Sequence, residues 1–394
     1  MTRHDTVAPR LPWEAANPYP FYRQSRATGD VVWDDTAGAW LILGYDAARQ
    51  VLGGPGWTSD PLANPGSRDA MDPISADFTG SSMLFADGAA HQRIRGSVRD
   101  VFTRSFIEAL TRGVESVVAA VTSHPCTGTS FDFMSEIALP IPLAVIAEWL
   151  NLSPETSAVL REQSPVIVRM LGALADADEV RAGAAASAAL MAEFLPLAAD
   201  RRAHPGDDLL SFLAADPALD LDEVAMTAIL IAVAGHETTA NLLGAGLVRL
   251  LTTTVDGVRL ADAIDPADPA TITELLRLDA PVQSTVRTAT HDHHIAGTAI
   301  AAGQSALVAV AAANRDPKVF DQPEIFRPRR AGPAPLSFGY GAHYCLGAAL
   351  ARLEITAALR RVLDRRPELA GAVTWRDTPA IRGPHSVPIV FTND

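Results

Sequence analysis

The stretch from Asp220 to near Thr252 limits the fold more than any other part of the chain. Asp220 can accept hydrogen bonds from the first turn of a helix while Glu223 reaches back, a signal that a helix starts here. From there to near Thr252 the sequence is apolar on most faces of a helical wheel. A helix of that kind has to be buried through the middle of a large protein. Its apolar run Val224–Gly235 is interrupted by His236 and Glu237, so it is too short to span a bilayer. The chain has the length for such an interior: 394 residues bury a large core without disulfides or structural metals.

Charge and cysteine content narrow the function classes. The formal net charge is −14, so the global basic footprint of a nucleic-acid binder is missing and no nucleic-acid partner is expected. Cys126 and Cys345 are the two cysteines, which excludes a disulfide framework and fits a reducing, cytoplasmic setting. No signal-peptide pattern opens the chain and no membrane association is expected.

Around the central helix the chain reads as mainly α with small β-sheets. Val31–Trp33 and Ala39–Leu43 read as short strands, and Gly53–Ala90 as a long loop carrying the apolar island Met83, Leu84 and Phe85. From Ala89 to about Leu251 the pattern is helical, with Phe106–Val121, Pro142–Leu150 and Arg181–Arg201 as segments. A short helix around Ile272–Leu278 precedes strands over Thr288–Ala311 that turn at Gly297 and Gly303. Leu336–Gly347 is irregular, and a last helix runs Ala348–Arg366. No linker divides the chain, so one domain over 1–394 is expected, with 1–16 a loose leading segment.

The chemistry concentrates in Phe338-Gly339-Tyr340-Gly341-Ala342-His343-Tyr344-Cys345-Leu346-Gly347. The glycines permit a tight turn and close approach to a flat cofactor. Cys345 sits just before a helix whose free N–H groups favour a thiolate, the form needed to ligate iron. This segment resembles the haem-binding loop of the cytochrome P450 family at every fixed position of that family's pattern. The resemblance implies the P450 fold, with haem b (iron protoporphyrin IX) between the long central helix and the cysteine-loop helix. It makes Cys345 the axial thiolate and metal ligand, places Phe338 near the sulfur, and turns the amides of Leu346, Gly347 and Ala348 towards it. His343 then contacts a haem propionate.

Other segments match the same family in order. Ala234-Gly235-His236-Glu237-Thr238-Thr239 resembles its oxygen-activation motif, in which the helix opens locally. Ala234 lies against the haem and Gly235 leaves room for dioxygen, while Glu237 relays protons and Thr238 hydrogen-bonds the bound dioxygen. A zinc-helix reading fails because Ala240 stands where a second histidine is needed. His91 and Arg95, at i,i+4, and Arg287 match propionate contacts, supplying with His343 the donors two carboxylates need. Glu274 and Arg277 match a buried ion pair completed by an arginine before the haem loop. Phe326 is followed here by Arg327 rather than the family's Asp, which leaves either Arg329 or Arg330 for that role. Ala313-Asn314-Arg315-Asp316-Pro317 and Phe320 also follow bacterial members. The His291-Asp292-His293-His294 run falls where the family has an exposed strand and turn, and is not expected to hold metal.

The resemblance implies a monooxygenase that activates dioxygen to hydroxylate or epoxidise an apolar small molecule. A peroxygenase or oxidative coupling enzyme is the alternative, and a haem sensor the reading from another class. Retention of Glu237 and Thr238 favours dioxygen activation. Electrons come from separate partners, a ferredoxin and an NAD(P)H-dependent ferredoxin reductase. Arg95, Arg99, Arg104, Arg352, Arg360 and Arg361 are expected to give the cysteine side a basic docking patch. The family's layout puts substrate against Met83, Leu84, Phe85, Ile231, Ala234, Thr238, Val282, Ser284, Thr285, Val286 and His385.

Overall fold

A computed structural model describes residues 14, 16–70, 82–124, 127–172, 175–378 and 381–393. Cys126 and most of the 1–16 segment lie outside the described residues.

The central helix spans Leu221–Thr252, and its start is a full capping box: Asp220 accepts from the Glu223 amide at 2.8 Å while Glu223 accepts from the Asp220 amide at 3.1 Å. Val224, Ala228, Ala232, Leu243 and Leu250 on it are fully buried. Its neighbours are the helices Pro140–Trp149, Pro154–Met170, Ala177–Ala203 and Ala348–Asp364. Burial of each large aliphatic side chain contributes roughly 1.5–3 kcal/mol, so this helix anchors the main core. Ala177–Ala203 is long and apolar enough to cross a membrane by length and composition, but it lies packed along Pro154–Met170 and the central helix.

The β structure flanks this helical body. A five-stranded sheet runs in the order Val31–Asp34, Ala39–Ile42, Ser305–Val308, Thr285–Ala289, Trp57–Thr58. Its one parallel pair joins Ala39–Ile42 to Ser305–Val308, across most of the chain length. The hairpin expected at Gly297 forms between His293–Ile295 and Thr298–Ile300. A three-stranded sheet holds Pro367–Leu369, Pro388–Phe391 and Ser130–Asp132, and a further hairpin pairs Thr374–Trp375 with Pro384–Ser386.

Several boundaries differ from the sequence reading. The Gly53–Ala90 loop contains the strand Trp57–Thr58 and a short helix Pro65–Ala70. The strand forms because its partner, Thr288–Ala289, comes from far along the chain. Helix then resumes at Gly88. The helical region is broken by Ser130–Asp132 and a π-type turn over Met134–Ala138, for the same reason: the strand pairs with Pro388–Val390. Phe106–Val121 divides at Leu110 into Arg104–Ala109 and Thr111–Thr122.

Candidate active site

The cysteine loop is wound by two short 3₁₀ turns, Leu336–Phe338 and Gly341–His343. Gly339 and Gly341 have φ of 75° and 78°, conformations that side chains rarely tolerate. At Gly341 a Cβ would also lie 2.8 Å from the Gly53 Cα and the Leu52 carbonyl oxygen, so no other residue fits. The Cys345 amide donates to the Phe338 carbonyl at 2.7 Å and closes the loop. Cys345 is exposed, yet protein crowds its thiol closely enough that burial pushes the pKa up, against the Gly347 amide and the positive charge of Arg95. Phe338 lies under the Arg352 guanidinium, 5.3 Å from ring centre.

The cationic groups gather beside this loop. The rings of His91 and His343 lie 4.3 Å apart, tilted by 34°, and His343 Nε2 lies 2.9 Å from Asp87. Arg95 donates to the Tyr344 carbonyl at 2.6 Å. Arg287 is buried and donates to its neighbours, the Val286 carbonyl at 2.7 Å and the Thr285 hydroxyl at 3.3 Å. Burial and the nearby positive charges of His343 and Arg95 push His91 down to about 4. The sequence reading missed Asp87. Burial would raise its carboxyl, but hydrogen bonds from His343, Thr58 and the Ser59 amide prevail and bring it to about 2. His91 Nε2 is buried without a partner among the described residues. A buried unmet ring nitrogen is costly, and in the tautomer that carries its proton on Nε2 it would donate to a carboxylate ligand.

Midway along the buried central helix one stripe is open. Ala234 and Gly235 are exposed and Thr238 is half-buried, whereas His236 and Glu237 are fully buried on the other side. The Thr238 hydroxyl donates to the Ala234 carbonyl at 2.7 Å. The helix stays continuous through Ala234–Thr239, so the local opening implied by the resemblance is not present. That intrahelical bond gives the hydroxyl a partner without a break in the helix. Glu237 accepts from Arg376 at 2.7 Å. Burial pushes His236 below its usual value.

The acid–arginine network lies behind the cysteine loop. Arg277 grips Glu274 through two bonds of 2.8 Å, and Arg330 approaches the same carboxylate at 3.3 Å. Arg277 also donates to the carbonyls of Asn314, Pro323 and Ile325, stapling the irregular chain before the loop. Burial opposes ionisation of Glu274, but Arg277 and Arg330 hold it below the ordinary carboxylate range. Arg329 instead pairs with Asp268 at 3.0 Å.

The residues proposed to meet substrate are scattered more widely. Met83 and Ile231 are buried, Phe85 is half-buried and Leu84 is exposed. Val282 bridges to Ile381, and His385 is exposed on the Pro384–Ser386 strand. Ser284 is buried and Thr285 shares a strand face with Arg287. Val286 needs correction: strand alternation turns it to the opposite face, where it packs with the cluster of Tyr19, Leu41 and Leu307. A small cavity between the helices is lined instead by Ser82, Ile167, Leu171, Met226, Ile229 and Val233. The apolar i,i+4 pair Ile167 and Leu171 was the available signal for that wall.

The histidine run has structural partners. His293 stacks on Trp57 at 4.3 Å and lies 2.9 Å from the Gly56 carbonyl, while Asp292 accepts from the Ala302 amide. Among the described residues no cluster of His, Cys, Asp and Glu is arranged to hold a metal ion.

The exposed thiol, the unmet His91 ring nitrogen and the open stripe on a buried helix fit a flat, dianionic, iron-bearing cofactor. Comparison with known proteins agrees. The cytochrome P450 family model matches residues 268–365. The cytochrome P450 monooxygenase PikC of Streptomyces venezuelae is 33% identical over 393 residues, 95% of this chain and 91% of that one. The 6-deoxyerythronolide B hydroxylase of Saccharopolyspora erythraea is 33% identical over 368 residues, 89% of this chain and 90% of its own. The ligand-free crystal structure of Mycobacterium smegmatis CYP164A2 superposes with a TM-score of 0.86 at 31% identity, over 95% of this chain and 96% of that one. This chain thus belongs to the cytochrome P450 family and is a cytochrome P450 monooxygenase.

Proposed function

We propose that the enzyme activates dioxygen to hydroxylate or epoxidise an apolar small molecule, in the cytoplasm, with electrons from a ferredoxin and its NAD(P)H-dependent reductase. The observation that carries this reading is the pairing, on one buried helix, of the open stripe Ala234–Gly235–Thr238 with the fully buried acid Glu237. A helix interior keeps a buried carboxyl only where something compensates its cost. Here the Arg376 guanidinium at 2.7 Å compensates that cost, and proton relay towards Thr238 is the proposed use of the acid.

Cys345 is the proposed ligand of haem b, with His91, Arg95, Arg287 and His343 holding its propionates. When bound, the haem would supply the redox chemistry of oxygen activation, and the Cys345 thiolate would donate electron density to it. The chain contributes the rest. Gly235 carries no side chain and nothing lies within 4 Å of the position of its missing Cβ, which leaves space for a diatomic ligand. Thr238 turns its hydroxyl along the same stripe, and Glu237, one residue away, is the proposed proton carrier. Met83, Phe85 and Ile231 supply apolar surface that would exclude water and orient an apolar substrate.

Incubation with a substrate identified by its Soret shift, ferredoxin, reductase, NADPH and ¹⁸O₂ tests this reading. Product carrying one labelled oxygen atom is expected. Full activity with hydrogen peroxide alone, and none with the reductase chain, would establish the peroxygenase instead.

A further inference from the structure

We propose that Arg376 is a positioning residue for proton delivery, acting through Glu237 from the C-terminal hairpin; this rests on Glu237 being the proton relay. Glu237 is fully buried, and its Oε2 accepts from Arg376 Nη1 at 2.7 Å. The Asn241 side chain donates to the Glu237 carbonyl at 2.7 Å and reaches Oε2 at 3.4 Å. His236 Nδ1 stands 4.0 Å from Oε1. Arg376 is thus the strong cation on this acid, and it comes from a segment 139 residues away.

The hairpin is built to deliver that guanidinium. The Arg376 amide donates to the Gly383 carbonyl at 3.1 Å, closing the hairpin one residue beyond the Thr374–Trp375 strand. Gly383 has no side chain because Asn241 occupies its place: a Cβ there would fall 1.8 Å from the Asn241 Oδ1. Hairpin and central helix therefore meet backbone to side chain, and Arg376 is the link between them.

Unmet polar atoms surround this contact. Glu237 Oε1, Asn241 Oδ1 and Arg376 Nε are buried without a hydrogen-bond partner among the described residues. So many unmet groups at one seam call for water, which needs two to four polar partners to stay. The Arg376 side chain retains 20% of its exposure, so the cluster reaches the surface there. The groups facing Glu237 are Arg376 from the hairpin and His236 from its own helix, with Arg161 acting on His236. Arg376 ties up Oε2 and leaves Oε1 free. A proton from bulk water enters past Arg376 and binds the carboxylate at Oε1. It leaves towards the Thr238 side, and the next proton from water replaces it.

The test compares Arg376→Gln, Arg376→Lys and Glu237→Gln in the haem-loaded enzyme. Arg376→Gln is expected to lower coupled product formation on the order of tenfold. It should also raise the share of electrons lost as peroxide and enlarge the solvent deuterium isotope effect. Substrate-induced Soret shifts should match the parent, and Arg376→Lys should recover part of the loss. A readout independent of turnover is melting temperature in a double-mutant cycle: Arg376→Gln should lower it in the parent and much less in the Glu237→Gln background. Equal thermal losses in both backgrounds, or parental coupling and isotope effect in Arg376→Gln, overturn the proposal. If Glu237→Gln itself keeps parental coupling and isotope effect, the relay reading has failed, and the role of Arg376 falls with it.

Discussion

At the scale of single residues the proposed chemistry turns on the Cys345 sulfur and the Thr238 hydroxyl. Cys345→Ala, purified folded and reloaded with haem, is expected to lose the thiolate-type carbon monoxide difference band; retention of that band would remove Cys345 from its proposed role. Thr238→Ala deletes a hydroxyl that, among the described residues, bonds back to its own helix at Ala234. The helix should therefore hold and substrate should still shift the Soret band, while reducing equivalents escape as peroxide; undiminished coupling would show that the hydroxyl serves no purpose in turnover. Cys345, His343, Glu237 and Thr238 could be proposed from the sequence because each sits in a short motif of fixed spacing. Asp87 was not, since its meaning lies in His343, 256 residues away. Arg376 was hidden in the same way.

Whole elements add effects that a residue count misses. Removing one partner from a buried ionic network strands the other, so Arg277→Ala is expected to cost about 3–5 kcal/mol in urea unfolding. Arg329→Ala, which touches only the half-exposed pair with Asp268, should not shift the midpoint measurably. A second expectation comes from the last helix, Ala348–Asp364, where Glu354 is buried and its Oε2 has no partner among the described residues. Burial pushes that carboxyl up to about 8. The folded chain then keeps a proton that the unfolded chain releases near pH 4, so stability should fall as pH rises from about 4 to about 8. Glu354→Gln should flatten that slope in melting curves taken across the range; an unchanged slope would mean the group is ionised in the fold. No spacing rule flags Glu354, because its burial depends on which face of the helix the rest of the molecule covers.

For the whole molecule, the question is how an enzyme of net charge −14 meets an electron donor. Arg99 and Arg104 are exposed, each next to an acid, Asp100 at 3.5 Å and Glu108 at 2.8 Å, which reduces the field they project. Arg352 is partly buried, donates to Thr273 and covers Phe338, so reversing it would disturb the cysteine loop as well. Arg99→Glu and Arg104→Glu are the cleaner pair. Both should slow reduction by ferredoxin most at low ionic strength, with dithionite reduction unchanged. Rates insensitive to salt and to both reversals would leave those arginines without a docking role. The sequence by itself determined the capped central helix, the glycine-turned cysteine loop and the His91–Arg95 helical face, because each is written in residues within a few turns of one another. Tertiary structure decided the rest. A φ of 57° at Arg329 belongs to a turn that pairs it with Asp268 and leaves Arg330 to Glu274, a choice open in the sequence. Strand pairing with distant segments put Trp57–Thr58 and Ser130–Asp132 into sheets, and turned Val286 away from the face that carries Arg287. Local propensity encodes only neighbours along the chain, whereas these contacts depend on the paths that loops take between packed helices and sheets.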